Sequence, residues 1–236
     1  MSHPLHSIHC ATCSKRFQSV FCNMDQANLE LVNEEKVCTT YKKGQVVFHE
    51  GSRPLGVYCV HKGKLRLSQT GDDGKEQILR LVKDGDIMGY RALLTGDPYQ
   101  ASAIVMEEAQ VCFLPKDLFV NMVQADPSLN LELIRLLGHD LKEAERHVTH
   151  MAQKPVRERV AEALLLVKET YGYEPDGKTL NLRMTREELA NLVGTATETV
   201  IRLLSDFNKS GVIHLDGKKI QVIDERGLVK EAHLWD

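Results

Sequence analysis

Residues 184–213 read MTREELANLVGTATETVIRLLSDFNKSGVI, and the fold is decided here. Thr185-x-x-Glu188 has the form of a capping box, in which a hydroxyl and a carboxylate satisfy two backbone donors at a helix start. Leu189, Leu192 and Val193 then fall on one face of a short helix. Gly194 suits a tight turn. Thr195-x-x-Glu198 repeats the capping pattern and opens a second helix whose Val200, Leu203, Leu204 and Phe207 point inward. Two short helices joined by a glycine-bearing turn make a helix-turn-helix, whose second helix lies in the major groove of double-stranded DNA. After Gly211, the segment VIHLDGKKIQVID alternates about Asp216-Gly217, which reads as a hairpin. The module is therefore a winged helix-turn-helix, with Lys218 and Lys219 at the wing tip.

Glu198 and Arg202 lie four apart on the second helix, share a face and can pair. A carboxylate accepts from cytosine N4, and a guanidinium bonds guanine O6 and N7. Residues 183–219 hold six basic and five acidic side chains. With so little excess charge, DNA affinity must come from geometry and a few phosphate contacts, and salt weakens it.

Upstream of this module, Lys154-Pro155 interrupts a helical pattern, because proline lacks an N–H and disfavours helix in the residue before it. Ile134, Leu137, Leu141, Ala144, Val148 and Met151 recur at spacings of three and four, the seam of a heptad helix. Charged flanks (Asp140, Lys142, Glu143, Glu145, Arg146) leave one narrow apolar stripe, which reads as a homodimer interface, with a helix packed on its own barrel as the alternative. From Cys38 to Leu114, short apolar runs separated by glycine turns predict an antiparallel barrel or jelly roll. QANLELVNEE, residues 26–35, reads as a helix. The boundaries that follow are a Cys/His-rich tail over 1–24, a barrel over 25–127, a dimerisation helix over 128–154 and the winged module over 155–236.

The chain has 236 residues, 42% apolar and 27% charged, with net charge −3, so nucleic-acid binding must rest on a local face. No 18-residue apolar run predicts a membrane span, and no apolar h-region marks a signal peptide. A cytoplasmic setting is expected, where clustered thiols bind metal or sense redox state. Half of the six cysteines fall within HCATCSKRFQSVFC, residues 9–22. A Cys-x2-Cys with His9 nearby is also zinc-like, and plain thiols can act as a disulfide switch. Cys38 and Cys59 read as small buried hydrophobes in strands. His3, His6 and His9 read as a solvated tail. Enzyme motifs are absent from the sequence: there is no P-loop, nucleophile elbow or His-Glu-x-x-His, and no α/β pattern surrounds the Cys-x2-Cys.

The order of barrel, heptad helix and winged helix-turn-helix resembles the Crp/Fnr family of bacterial transcription regulators, over roughly residues 25–225. The most specific pieces are KGQVVFHEG (43–51), GDIMGY (85–90), TREELANLVGTATETVIRLL (185–204) and the wing GKKI (217–220). The resemblance implies an α+β chain: an N-terminal cyclic-nucleotide-binding-type β-barrel (jelly roll), a long dimerisation helix and a C-terminal winged helix-turn-helix. It implies homodimers on near-palindromic DNA, with RNA polymerase as partner for an activator. The cyclic-AMP branch resembles Gly-Glu-Leu followed by Arg-Ser. Here Tyr90 stands for the Glu and Ala101 for the Arg, so an anionic nucleotide would lose its charge partner, and no cyclic nucleotide is expected.

The Fnr branch fits better, with a cysteine-rich tail and one distant cysteine in a strand. The resemblance implies Cys10, Cys13, Cys22 and Cys112 as thiolate ligands of an oxygen-labile [4Fe–4S] cluster, with zinc as the alternative metal. The spacing C-x2-C-x8-C is longer in its second gap than in the best-known members. The Fnr reading helix resembles Glu-x-x-Ser-Arg. Glu198 and Arg202 match, while Ile201 replaces the serine and offers only apolar contact, for example to a thymine methyl. Thr197 and Thr199 are smaller contacts, and Thr185, Arg186 and Lys218 resemble the family's phosphate contacts.

Overall fold

The computed structural model describes residues 8–234, so His3 and His6 of the expected tail lie outside the described residues. Contacts divide the chain into two units. One holds the described residues up to Gln69 together with Val82–Lys142, and the other holds Thr70–Leu81 with everything described from Glu143 on. The α+β organisation expected from the sequence is the one observed.

In the first unit, the tail runs through two 3₁₀ turns, Cys10–Thr12 and Ser14–Gln18, into α1 (Gln26–Glu35). Asp25 caps α1 by accepting the Asn28 N–H at 2.8 Å. There follow β1 (Val37–Tyr41), β2 (Val46–Phe48), β3 (Gly56–Thr70), β4 (Glu76–Val82), β5 (Ile87–Met88), α2 (Tyr90–Thr95), β6 (Ser102–Pro115) and α3 (Lys116–Ala125). The long helix α4 (Pro127–Gln153) comes next. β6 pairs antiparallel with β1, β2 and β3, and β5 pairs with β3.

Strand alternation sorts the side chains of β6 and β3 into two cores. On one face Val60, Leu65, Leu67, Ala103, Val105 and Val111 fill the barrel. On the other, Val57 and Leu114 meet Phe21 and Met24 of the tail, Leu29 of α1, Phe119 of α3, and Leu129 and Leu133 of α4. Phe21 meets Phe119 edge-on, with centroids 6.5 Å apart. The tail and the start of the long helix therefore share one hydrophobic core.

In the second unit, α4 ends at Gln153 and α5 (Val156–Tyr171) begins after Pro155. α6 (Arg186–Val193) carries the capping box expected at its start: the Glu188 N–H donates to Thr185 Oγ1 at 3.0 Å, and the Thr185 N–H donates to Glu188 Oε2 at 2.7 Å. Gly194 closes α6 with φ +72°, a left-handed conformation that favours glycine, and Met151 Cε packs where a Cβ would stand. The second capping box does not form. α7 (Thr197–Lys209) starts from Ala196 with no side-chain cap. The Thr195 N–H is spent on Ala190 O at 3.1 Å, so Thr195 belongs to the close of α6 rather than the start of α7.

α7 buries Val200, Leu203, Leu204 and Phe207. β7 (Ile213–Asp216) and β8 (Lys219–Val222) form the wing about Gly217, and α8 (Glu225–Glu231) packs on α5. The segment Thr70–Leu81 reaches α6, where Asn191 Nδ2 donates to Glu76 Oε2 at 3.4 Å. Among the described residues no helix is long and apolar enough to cross a membrane.

The box at Thr185 has a measurable worth. Thr185→Ala should destabilise the C-terminal unit by about 1 kcal/mol, and Thr185→Ser should restore most of it. Urea unfolding read at that unit checks this, and an unchanged midpoint in the alanine variant contradicts it.

Candidate functional site

Two sites are built on this scaffold. The first is the exposed face of α7. Its hydrophobic spacing turns four side chains inward, which leaves Glu198, Ile201 and Arg202 on the outside. Thr197 and Thr199 are half-buried at the helix start. Glu198 sits in the first turn, where unpaired N–H groups and the helix dipole favour a carboxylate. Arg202 pairs with Asp206 one turn further on, Nη1 to Oδ2 at 3.8 Å, rather than with Glu198. Ile201 is 51% exposed, a large aliphatic side chain held open beside an arginine. Arg186 reaches from α6 to the wing, with Nη2 donating to Gly217 O at 3.0 Å, and Lys218 is exposed at the wing tip. Lys219 is drawn back instead, 3.5 Å from Glu174 Oε2. Thr185, half-buried, is occupied by its capping bonds.

The second site lies under the tail. A cavity of about 60 Å³, more than one water needs, is lined by Cys10, Cys13, Cys59, His61 and Cys112. The tail is held over it by named bonds. The Cys10 N–H donates to Asn33 Oδ1 at 2.7 Å, and Lys36 Nζ donates to Cys10 Sγ at 2.9 Å. Lys15 pairs with Asp84 at 3.2 Å. Cys13 Sγ lies 3.3 Å from His61 Nδ1. His61 reaches the tail because the β3–β6 register slips between Val60 and Lys62, leaving it as the extra residue of a bulge. His9 is exposed, with Nδ1 3.1 Å from Asn33 Nδ2.

Burial sets the protonation here. It pushes the Cys59 thiol well above its ordinary value, and the neighbouring Cys10 and Cys13 push the same way against Lys36, so Cys59 is a neutral thiol at pH 7. Burial, with Lys15, Lys36 and Lys62 nearby, outweighs Asp84 and holds His61 below its ordinary range, leaving it uncharged.

The cysteine set implied by the resemblance is only partly gathered. Cys10, Cys13 and Cys112 line the cavity, but Cys22 does not. Cys22 closes a turn, its N–H on Ser19 O at 3.1 Å and its carbonyl accepting from Arg16 Nη1 at 3.2 Å. Cys38, expected as a small buried hydrophobe, is disulfide-bonded to Cys112, directly opposite it on β1. Cys59, expected in the same role, lies opposite Cys112 on the other side, on β3, with its thiol turned into the cavity. Strand pattern alone could place these three residues in strands. Only the register puts them in one row.

Among the described residues, no three His, Cys, Asp or Glu side chains stand close enough to hold a single metal ion. A cubane cluster sets iron and sulfide between its thiolates, which therefore stand further apart than ligands around one ion. With Cys59 counted, four sulfurs line the cavity, the number such a cluster needs.

The seam of α4 divides. Ile134, Leu141 and Val148 are 64%, 60% and 68% exposed, and Ala144 lies among them on the same stripe. Leu137 packs on the core beneath the tail, and Met151 lies against Gly194. Tyr90, at the position of the missing cassette glutamate, is buried and donates its hydroxyl to Asp140 on α4. Ala101 is buried in the barrel core.

A family model of the cyclic nucleotide-binding domain matches residues 38–126, and one of the Crp-like helix-turn-helix domain matches residues 158–231. The chain is 26% identical to the fumarate and nitrate reduction regulatory protein of Vibrio cholerae serotype O1, over 96% of this chain and 91% of the relative. It is 27% identical to the anaerobic regulatory protein of Haemophilus influenzae, over 95% and 88%. Among solved structures it is 30% identical to a transcriptional regulator from Thermus thermophilus, of the CRP/FNR family, with TM-score 0.72 over 84% of this chain and 98% of that one.

Proposed function

Since the chain belongs to the CRP/FNR family of DNA-binding transcription regulators, we propose that it is a cytoplasmic homodimer on palindromic DNA, controlled by an oxygen- or nitric-oxide-labile [4Fe–4S] cluster at its N-terminal cysteines. One observation carries this reading: Cys10, Cys13, Cys59 and Cys112, from three separate stretches of the sequence, line a single cavity. Bound there, the cluster supplies an oxygen-labile tie between tail and barrel.

The chain's own residues supply the rest. Cys10 and Cys13 hold the tail to the barrel at the cavity. Phe21 and Met24 carry that attachment into the core that also anchors Leu129 and Leu133. The base of α4 thus feels whether the tail is seated. Ile134, Leu141, Ala144 and Val148 form an exposed apolar stripe that a second copy of α4 covers, with Leu137 and Met151 at its flanks. Dimerisation sets the spacing between the two reading helices. On each, Glu198, Arg202 and Ile201 face base edges, with Thr197 and Thr199 beside them, while Thr185, Arg186 and Lys218 approach phosphates. If the protein activates transcription, the DNA-bound dimer also meets RNA polymerase. Release of the tail in air loosens the seam and lowers DNA affinity.

A second reading, a thiol switch without a metal, has the Cys38–Cys112 disulfide in its favour. Purification without oxygen separates the two. The cluster reading predicts a coloured protein with equal iron and acid-labile sulfide, losing colour and DNA affinity together in air. A colourless, iron-free protein that binds DNA equally in air and without it contradicts the cluster. The thiol switch instead predicts an iron-free protein whose DNA binding follows dithiol treatment.

The DNA reading has its own outcome. Arg202→Ala should lose discrimination at one base pair per half-site, about 1–3 kcal/mol in a binding titration over all four base pairs at that position. Uniform weakening on every sequence would place Arg202 on phosphate.

A further inference from the structure

We infer that Cys59, and not Cys22, is the fourth cluster ligand, so that Cys10, Cys13, Cys59 and Cys112 form the set. The inference rests on the cluster reading above and changes one of its ligands.

Three observations carry it. First, Cys59 and Cys112 are directly opposed on β3 and β6, so both side chains leave the sheet on the same face. That face also carries Val57 and Leu114, and it is the one the tail covers. Second, Cys59 and Cys112 line the cavity with Cys10 and Cys13, and Cys22 does not. Third, the eight residues between Cys13 and Cys22 are folded rather than slack. They form the turn Ser14–Gln18, closed by the Ser19 N–H on Arg16 O at 3.0 Å and by Arg16 Nη1 on the Cys22 carbonyl. Phe21, next to Cys22, is fixed in the core at 8% exposure. Swinging Cys22 to the cavity would break these contacts, whereas Cys59 is already there.

Cys112 must first leave Cys38. A dithiol reductant supplies two electrons and two protons: the Cys38–Cys112 S–S bond breaks, both become thiols, and the reductant's own thiols join in a disulfide. The four ligands then lose their protons to solvent on binding iron. Cys38 does not line the cavity and stays a free thiol.

The test uses the full chain, reduced with dithiothreitol without oxygen and loaded with ferrous iron and sulfide. Iron and acid-labile sulfide per chain, with the visible spectrum, are compared for wild type, Cys22→Ser, Cys38→Ser and Cys59→Ala. The expected result is full loading in the Cys22 and Cys38 variants and loss of most iron in Cys59→Ala, with far-UV circular dichroism unchanged. Loss in Cys22→Ser with retention in Cys59→Ala overturns the inference and leaves the cluster reading standing. A wild type that takes up no iron overturns both. A measurement on wild type alone needs no variant to fold. Cys22 should take maleimide equally in the loaded and unloaded chain by mass spectrometry, and its protection on loading overturns the inference.

Discussion

The register of β6 against β1 and β3 is the constraint on which the rest depends. It sets Cys112 opposite Cys38 on one side and Cys59 on the other. Side chains alternate with a period of two, so a one-residue slip would turn Cys112 into the barrel and Val111 out toward the tail. The register is held by burial on both faces. Val105, Ala109 and Val111 fill the barrel, while Cys112 and Leu114 face the tail, α1 and α3. A strand packed on both sides has little freedom to slide, and the sulfur row inherits that rigidity.

From that row outward, the tail and the base of α4 meet in one shared core. The tail lays Phe21 and Met24 against Phe119, Leu129 and Leu133, so the first turns of α4 pack on the segment that bears the cysteines. Beyond them the helix carries its apolar stripe into the open. Tyr90 adds a second tie, from the turn after β5 to Asp140 on α4. In the cyclic-AMP-type cassette that position resembles a ligand contact. Here the side chain is buried and its hydroxyl is bonded to the helix.

The helix-turn-helix was legible because its signals are local: a capping box, an αL glycine and a 3.6-residue apolar period each act within a few residues. One local misreading, Thr195 as a cap, comes from a pattern that matches while the backbone places its N–H in the preceding turn. The barrel and the long helix were legible from periodicity. The cysteine site was not fully legible, because its membership depends on which strands lie side by side. Cys38 and Cys59 each look like a hydrophobe in a strand, and nothing in the spacing says that Cys112 lies between them. His61 escaped notice for a similar reason, since a bulge turns it toward Cys13 and bulges leave only weak marks in sequence.

The central claim is that the seating of the tail at the cysteine cavity governs the dimer. Sedimentation of one oxygen-free, iron-loaded sample, run before and after exposure to air at fixed protein concentration, tests it most directly. A dimer before and a shift toward monomer after is the predicted result, with Cys10→Ser sedimenting like the air-exposed chain from the start. A dimer unchanged by air and by Cys10→Ser would contradict the claim, because the cavity would then have no purchase on α4.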